Sequence, residues 1–310
     1  AHAGLFQDAS AFLSVYYEEN RDEYSLVPYY MGWYAYRNGD RSAAERYFRQ
    51  GAALKPDHVF PNRIEEILIL KTAIALNPDD SMACHYLGNL WYDKRQYDEA
   101  IVCWERSAEL KSDFPTVRRN MALAYYNKRN DPGRAVASME KAFSLDRGDA
   151  RVLMELDQLY KRQNKPPGER LSLLEEHLDL VHQRDDLYLE RVTLYNQLSE
   201  YQKARELIAS CRFHPWEGGE GKVVGQYLVC HLELAKQALA GGRPEEALEL
   251  LNQVGNYPAN LGEGKLYGTR ENDIHYLKGI TLAMTGHPET ATRNFMLATS
   301  GISEAVQAFF

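Results

Sequence analysis

Apolar residues recur along this chain at spacings of three and four, and no stretch alternates with a period of two. The pattern predicts helices from end to end and an all-α fold. The helices pair into hairpins, with small residues where two helices cross and large ones filling the space between. Segment 81–114 states the rule most fully. Leu87-Gly88 and Trp91 lie on its first helix, and Ala100, Trp104 and Ala108 on its second. Segment 25–58 repeats it with Met31-Gly32, Ala35, Ala44, Phe48 and Pro56, and 115–149 with Met121-Ala122, Tyr125, Ala135, Met139 and Ala142. The third copy carries one extra residue, at Asn130-Asp131-Pro132-Gly133. Segment 150–184 is weaker: Leu156, Tyr160 and Leu173 remain, but Glu169 and His177 replace small residues. Segments 185–213, 223–258 and 272–300 recover the pattern. Residues 5–20 and 63–77 read as single helices, the latter stopped by Asn77-Pro78.

A period of about 34 residues with this placing of small and large side chains resembles the tetratricopeptide repeat. The resemblance implies one array over residues 1–310, wound as a right-handed superhelix with a concave groove lined by first helices. Helical spacing then puts Tyr29, Trp33 and Tyr36 on one groove-facing stripe. His85, Asn89, Tyr92 and Asp93 follow on the next first helix, and Arg119, Tyr126 and Asn127 after them. Some repeat domains of this kind grip a peptide carboxyl terminus with Lys and Asn. Here His85 and Leu123 stand where that pattern needs lysine and asparagine, which argues against such a clamp. The apolar carboxyl end, 305–310, is expected to pack back on the last hairpin or against a partner.

Two segments are not required by the ladder. Gly-Glu-Gly-Lys occurs at 219–222 (Gly219-Glu220-Gly221-Lys222) and again at 262–265 (Gly262-Glu263-Gly264-Lys265). Each copy precedes a helix, and each falls between a second helix and the next first helix, so both belong on one edge of the array. Glycines followed by a helix start favour an anion. A nucleotide loop is nevertheless excluded, because Trp216 and Ala259 replace its first glycine, and Val223 and Leu266 replace its metal-binding hydroxyl. The mixed set His214, Trp216, Glu217, Glu220, Lys222, Glu263, Lys265, Arg270, Glu271, Asn272 and Asp273 suits a polyhydroxylated ligand or a protein surface. Glu217 and Glu220 are the weak candidates for a catalytic carboxylate pair. The alternative is that the loops only splice irregular repeats, with Trp216 wedged into the core.

Composition narrows the classes. The 310 residues are 45% hydrophobic and 26% charged, with a net charge of −8, so nucleic acid is not the expected partner. The mean hydropathy of −0.51 and the lack of any apolar run near 18 residues predict no membrane partner. Cys84, Cys103, Cys211 and Cys230 form no C-x-x-C pair and read as reduced core thiols, which fits a cytoplasmic setting. No histidine spacing predicts a metal site, and no cofactor is expected. The chain opens Ala-His-Ala-Gly, as a processed product or a fragment would.

A narrower resemblance rests on six strings: PDHVFPNRIEEI (56–67), HYLGNLWYDKRQYDEAI (85–101), FPTVRRNMALAYYNK (114–128), MELDQLYK (154–161), RFHPWEGGEGKVVGQY (212–227) and NLGEGKLYGTRENDIHY (260–276). They resemble the carboxy-terminal region of a family of large bacterial proteins of unknown function. In that family a β-sandwich portion, similar to the sandwich domains of sugar-processing enzymes, precedes the repeats. The resemblance covers nearly all of 25–300 and implies a carbohydrate-related role for the whole protein; this sequence carries no strand-rich portion. The leading expectation is a non-catalytic scaffold that docks a partner protein or a missing amino-terminal domain. The alternative is that the glycine loops contribute to a carbohydrate-binding or glycoside-hydrolysing site.

Overall fold

The computed structural model describes residues 4–19, 24–56, 59–265 and 271–300. Every regular element among them is a helix. The chain divides into two compact units, Ala1–Gln163 and Asn164–Phe310.

In the first unit α1 (Phe6–Glu19) packs on α2 (Leu26–Arg37), which pairs with α3 (Arg41–Ala53). The single helix α4 (Glu65–Leu76) ends before Asn77-Pro78 and lies against α2 and α5 (Ser81–Asp93). Two more hairpins follow: α5 with α6 (Tyr97–Leu110), and α7 (Pro115–Arg129) with α8 (Pro132–Leu145). The unit closes with α9 (Ala150–Arg162), packed on α8. The second unit runs through α10 (Pro167–Glu175), α11 (Leu178–Val181), α12 (Asp185–Gln197) and α13 (Tyr201–Ser210). It continues with α14 (Lys222–Ala240), α15 (Pro244–Val254), a 3-10 turn at Ala259–Leu261, α16 (Asn272–Met284) and α17 (Pro288–Thr299). Its hairpins are α12–α13, α14–α15 and α16–α17.

The small-over-large rule has a direct steric cause. A Cβ on Gly32, Gly88 or Gly279 would come within 2.6, 2.5 or 2.5 Å of Phe48, Trp104 or Phe295, in each case the aromatic ring sixteen residues on. Glycine lets the ring lie on the first helix's backbone, so the helices approach closely. In α7–α8 the pair becomes Ala122 and Met139, both fully buried, and the spacing grows to seventeen because of the extra turn residue. The hairpin turns share a second device: one residue in the left-handed region, at Gly39, Arg95, Asn130, Ser199, Gly242 or Gly286. Aspartates start several helices. Asp40, Asp80 and Asp131 each accept from the backbone N–H three residues on, at 2.9, 2.8 and 3.0 Å.

The weak segment 150–184 differs in the expected place. Its second helix stops at Glu175 and restarts as the one-turn α11. Ion pairs join the buried Leu174, Leu180 and Val181 there: Arg170 meets Glu190 at 2.6 Å, and Arg191 meets Glu175 at 2.6 and 3.1 Å. Tyr195 adds its hydroxyl to Glu175 at 2.8 Å. Burial alone would raise the Glu175 pKa, but hydrogen bonds from Arg191 and Tyr195 outweigh it and hold the carboxyl below its usual range. The expectation for 305–310 falls outside the described residues.

Candidate functional site

In the second unit the two glycine loops, 211–221 and 255–265, are fastened together. Asn260 Nδ2 donates to the carbonyls of Ile208 and Cys211, at 2.9 Å each, and the Phe213 N–H donates to the Asn260 carbonyl at 2.8 Å. Gly262 adopts φ +73° and lies against the Phe213 carbonyl, where a Cβ has no room. The Glu263 carboxylate then accepts from the Gly221 N–H at 2.8 Å and the Val224 N–H at 3.0 Å. The second loop thus caps the helix that the first loop starts. A carboxylate of the protein itself occupies the position an anion would take at the start of α14.

An open cleft of about 280 Å³ lies where the loops meet. Pro215, Trp216 and Leu261 form apolar walls, and Glu217 and Glu220 stand beside them. Trp216 is half-buried, its ring laid over Gly219. Both glutamates are exposed, and no described residue hydrogen-bonds either carboxylate. Such side chains can accept from hydroxyls or pair with cations, but nothing fixes them as an acid and base pair. Four other sequence candidates hold structure. His214 is tied to Asp185 through its backbone N–H at 2.7 Å and through Nδ1 at 3.0 Å. Lys265 pairs with Glu271 at 2.6 Å, and Tyr257 donates to the same carboxylate at 3.1 Å. Burial would raise Glu271, yet the bonds from Lys265 and Tyr257 keep its pKa low, while burial and Glu271 push Tyr257 up to about 12. Asn272 donates to the Ala298 carbonyl at 2.7 Å, at the end of α17. Lys222 and Asp273 are exposed and do not line the cleft, and Arg270 lies outside the described residues.

The first unit holds a larger cleft, about 590 Å³, on the exposed face of α5 and α7. His85, Asn89, Tyr92, Asp93 and Arg119 line it. Its polar floor is a fixed relay. Trp104 Nε1 donates to Asn89 Oδ1 at 3.0 Å, which orients the amide and makes Asn89 Nδ2 the donor to His85 Nε2 at 3.2 Å. His85 therefore carries its proton on Nδ1, a buried atom without a partner. Burial lowers its pKa from 6.5 to about 4, so the ring is neutral. Asn120 Nδ2 donates to the same Asn89 oxygen at 3.3 Å. Beside this relay Arg119 grips Glu155 with two hydrogen bonds, and Arg151 shares that carboxylate at 3.2 Å.

One groove assignment is corrected. Tyr29 is fully buried: its ring packs against Phe48 and Tyr86, and its hydroxyl donates to Asp80 at 3.0 Å. The first turns of α2 are enclosed on both sides, so a stripe that begins on Tyr29 begins in the core. Tyr126 lies beneath the Arg162 guanidinium, 5.3 Å from its ring centre, and it and the exposed Asn127 do not line the cleft. Trp33 and the exposed Tyr36 stack on each other at 6.1 Å, away from this cleft. Spacing alone passed over Thr116 and Asn120, although they share the helical face of Arg119. Burial pushes the thiols of Cys84 and Cys230 up to about 12 and of Cys103 and Cys211 to about 11, so none is a ready nucleophile. Among the described residues no cluster of three metal-ligating side chains occurs, and no helix is long and apolar enough to cross a membrane.

Residues 88–128, which include Asn89, Trp104 and Asn120 but not His85, match a family model described as TPR repeat. Solved structures resemble the whole. The structure of Naa15/Naa10 bound to HypK-THB aligns over 92% of this chain at 11% identity, with a TM-score of 0.52. This chain spans 40% of that one. A tetratricopeptide repeat protein from Parabacteroides merdae ATCC 43184 aligns over 91% of this chain and 95% of its own, at 13% identity and a TM-score of 0.40. YrrB, described as a TPR protein with an unusual peptide-binding site, aligns over 72% of this chain and 96% of its own, at 14% identity and a TM-score of 0.44. The chain therefore contains a tetratricopeptide repeat, set in an all-helical array of hairpins that reuse its small-over-large design.

Proposed function

We propose that the chain is a non-catalytic interaction scaffold whose first-unit cleft holds an extended segment of a partner protein or of a domain joined to it. One observation carries the reading. The Asn89 oxygen accepts from Trp104 and Asn120, and one Asn89 N–H goes to His85, so the amide of Asn120 is fixed by one hydrogen bond. Asn120 keeps its carbonyl oxygen and a second N–H for a ligand. An acceptor beside a donor on one rigid amide complements the N–H and C=O of an extended peptide. Phe60, 73% exposed at the cleft edge, offers an apolar contact, and the guanidinium groups of Arg119 and Arg151 and the Asp93 carboxylate offer charges of both signs.

A random peptide display selected on the intact chain tests this. Selected peptides should bind Asn120→Ala at least tenfold more weakly than the parent, with an unchanged melting temperature. Equal binding by a folded Asn120→Ala removes the reading. A second reading is favoured by the loop cleft, where the Trp216 ring and the exposed Glu217 and Glu220 offer a stacking surface and acceptors for sugar hydroxyls. A glycan array probed with the parent and with Trp216→Ala, Glu217→Gln and Glu220→Gln decides it; unchanged signals in all three variants rule the cleft out.

A further inference from the structure

Another cavity of the first unit, about 550 Å³, opens where α1, α2 and α4 meet. It is distinct from the partner cleft. Phe6, Tyr30, Trp33 and Tyr34 wall it with aromatic rings, and Arg37 and Arg63 stand at its margin. The Arg37 guanidinium is held by its faces, 4.6 Å from the Phe6 ring centre and 5.3 Å from that of Trp33. Stacking uses the flat face of a guanidinium and leaves its five N–H donors at the edge. Among the described residues no side chain or backbone carbonyl hydrogen-bonds or ion-pairs with the Arg37 or Arg63 guanidinium. Tyr30 donates its hydroxyl to Glu66 at 2.8 Å, so it turns a lone pair and not a proton toward any ligand. Glu65 is the acidic member of the lining, and the Glu66 carboxylate lies behind Tyr30. A chain with a net charge of −8 thus presents two guanidinium groups with open N–H edges at the margin of an aromatic-walled cavity.

That chemistry defines its ligand. A bare inorganic anion leaves the ring walls wet, and a neutral ring leaves the guanidinium edges unpaired. A molecule with both parts satisfies both. We propose that this cavity binds a small organic anion built on a flat ring, the ring against Trp33 and Tyr34 and the carboxylate or phosphate on the N–H edges of Arg37 and Arg63. The site goes beyond the scaffold function and does not depend on it: a partner segment and a small anion would occupy different cavities of the same unit.

The test is calorimetric titration of the intact chain with phenyl phosphate at low salt, with inorganic phosphate and phenol as the two halves of the probe. Phenyl phosphate should saturate one site, and each half should bind at least tenfold more weakly. Arg37→Gln should weaken phenyl phosphate at least tenfold. Arg63→Gln should act in the same direction, and it decides the matter if circular dichroism shows that the first variant is unfolded. Arg49→Gln, a change at an exposed arginine outside the cavity, should bind as the parent does. Uridine monophosphate and benzoate form the final arms. Saturation by either supports the site, and their ratio separates a nucleotide from an aryl acid. The proposal is overturned by no saturable binding at millimolar phenyl phosphate, by equal binding of inorganic phosphate, or by unchanged affinity in a folded arginine variant.

Discussion

At the start of α5 two buried groups titrate in opposite senses, and their balance can be measured. Asp80 caps the helix, is 1% exposed, and receives hydrogen bonds from Tyr29 and the Ala83 N–H. Burial nevertheless raises its pKa from 3.8 to about 6. His85, on the same helix and 3% exposed, is drawn from 6.5 down to about 4. Between pH 4 and 6 the folded Asp80 keeps a proton that the unfolded chain has released, so its contribution to stability falls as pH rises. Over the same window the folded His85 lacks a proton that the unfolded chain still holds, so its contribution rises. Each shift spans roughly two pKa units, or about 3 kcal/mol at about 1.4 kcal/mol per unit. The two nearly cancel. Asp80→Asn should leave the His85 term alone and make stability climb by about 3 kcal/mol from pH 4 to 6.5 relative to the parent. His85→Gln should make it fall by a similar amount. Urea unfolding followed by tryptophan fluorescence suits the purpose, because Trp33, Trp91 and Trp104 all lie in the first unit. Other titrating groups cancel in the difference between variant and parent. Parallel pH profiles for all three proteins, offset by a constant, would refute the reasoning.

Four further changes have definite expected outcomes. Gly88→Ala forces a Cβ to within 2.5 Å of Trp104 and should cost about 1–3 kcal/mol in denaturant unfolding, through overpacking at the hairpin crossing. Arg95→Gly relieves an exposed left-handed residue with φ +61° and should raise the melting temperature, with a gain of about 0.5–1 kcal/mol. Glu175→Ala leaves the buried Arg191 unpaired and should cost about 3 kcal/mol; in the parent, the Glu175 contribution is present above its unfolded pKa and is lost on acidification through its lower folded value. Glu263→Ala uncaps α14, should cost about 1–2 kcal/mol, and should speed hydrogen exchange at Gly221 and Val224 in particular.

The hairpin ladder was legible because its cause is local. A glycine and an aromatic ring sixteen residues apart, as at Gly88 and Trp104, report a helix crossing with no knowledge of the rest of the fold. The α5 face was legible for the same reason, since helical spacing places His85, Asn89 and Tyr92 together. Tyr29 was not, because its burial depends on Asp80, fifty-one residues away, and on how far α2 is enclosed. Asn120 was missed because its value comes from a hydrogen bond to Asn89, on another hairpin. In the glycine loops, spacing indicated a shared edge, but it did not separate Glu263, whose two oxygens are both engaged, from Glu217 and Glu220, whose carboxylates remain open. Identical glutamates in near-identical motifs do different work, and only the register of one loop on the other decides which.

The Glu263 cap also bears on how the second unit gains its order. In an ideal array each hairpin touches its neighbours and can join or fray one at a time. Here the first turn of α14 is completed by a carboxylate that follows it by 42 and 39 residues, after α15 has ended. The end of α13 is held by Asn260 from the same loop, 52 residues downstream. Hairpin α14–α15 is therefore enclosed by a clasp that closes only when the chain beyond it is in place. The cooperative block runs from α13 through residue 263 and is not bounded by repeat edges. A chain that stopped after α15 would keep every residue of that hairpin and still lose the closure of its first turn.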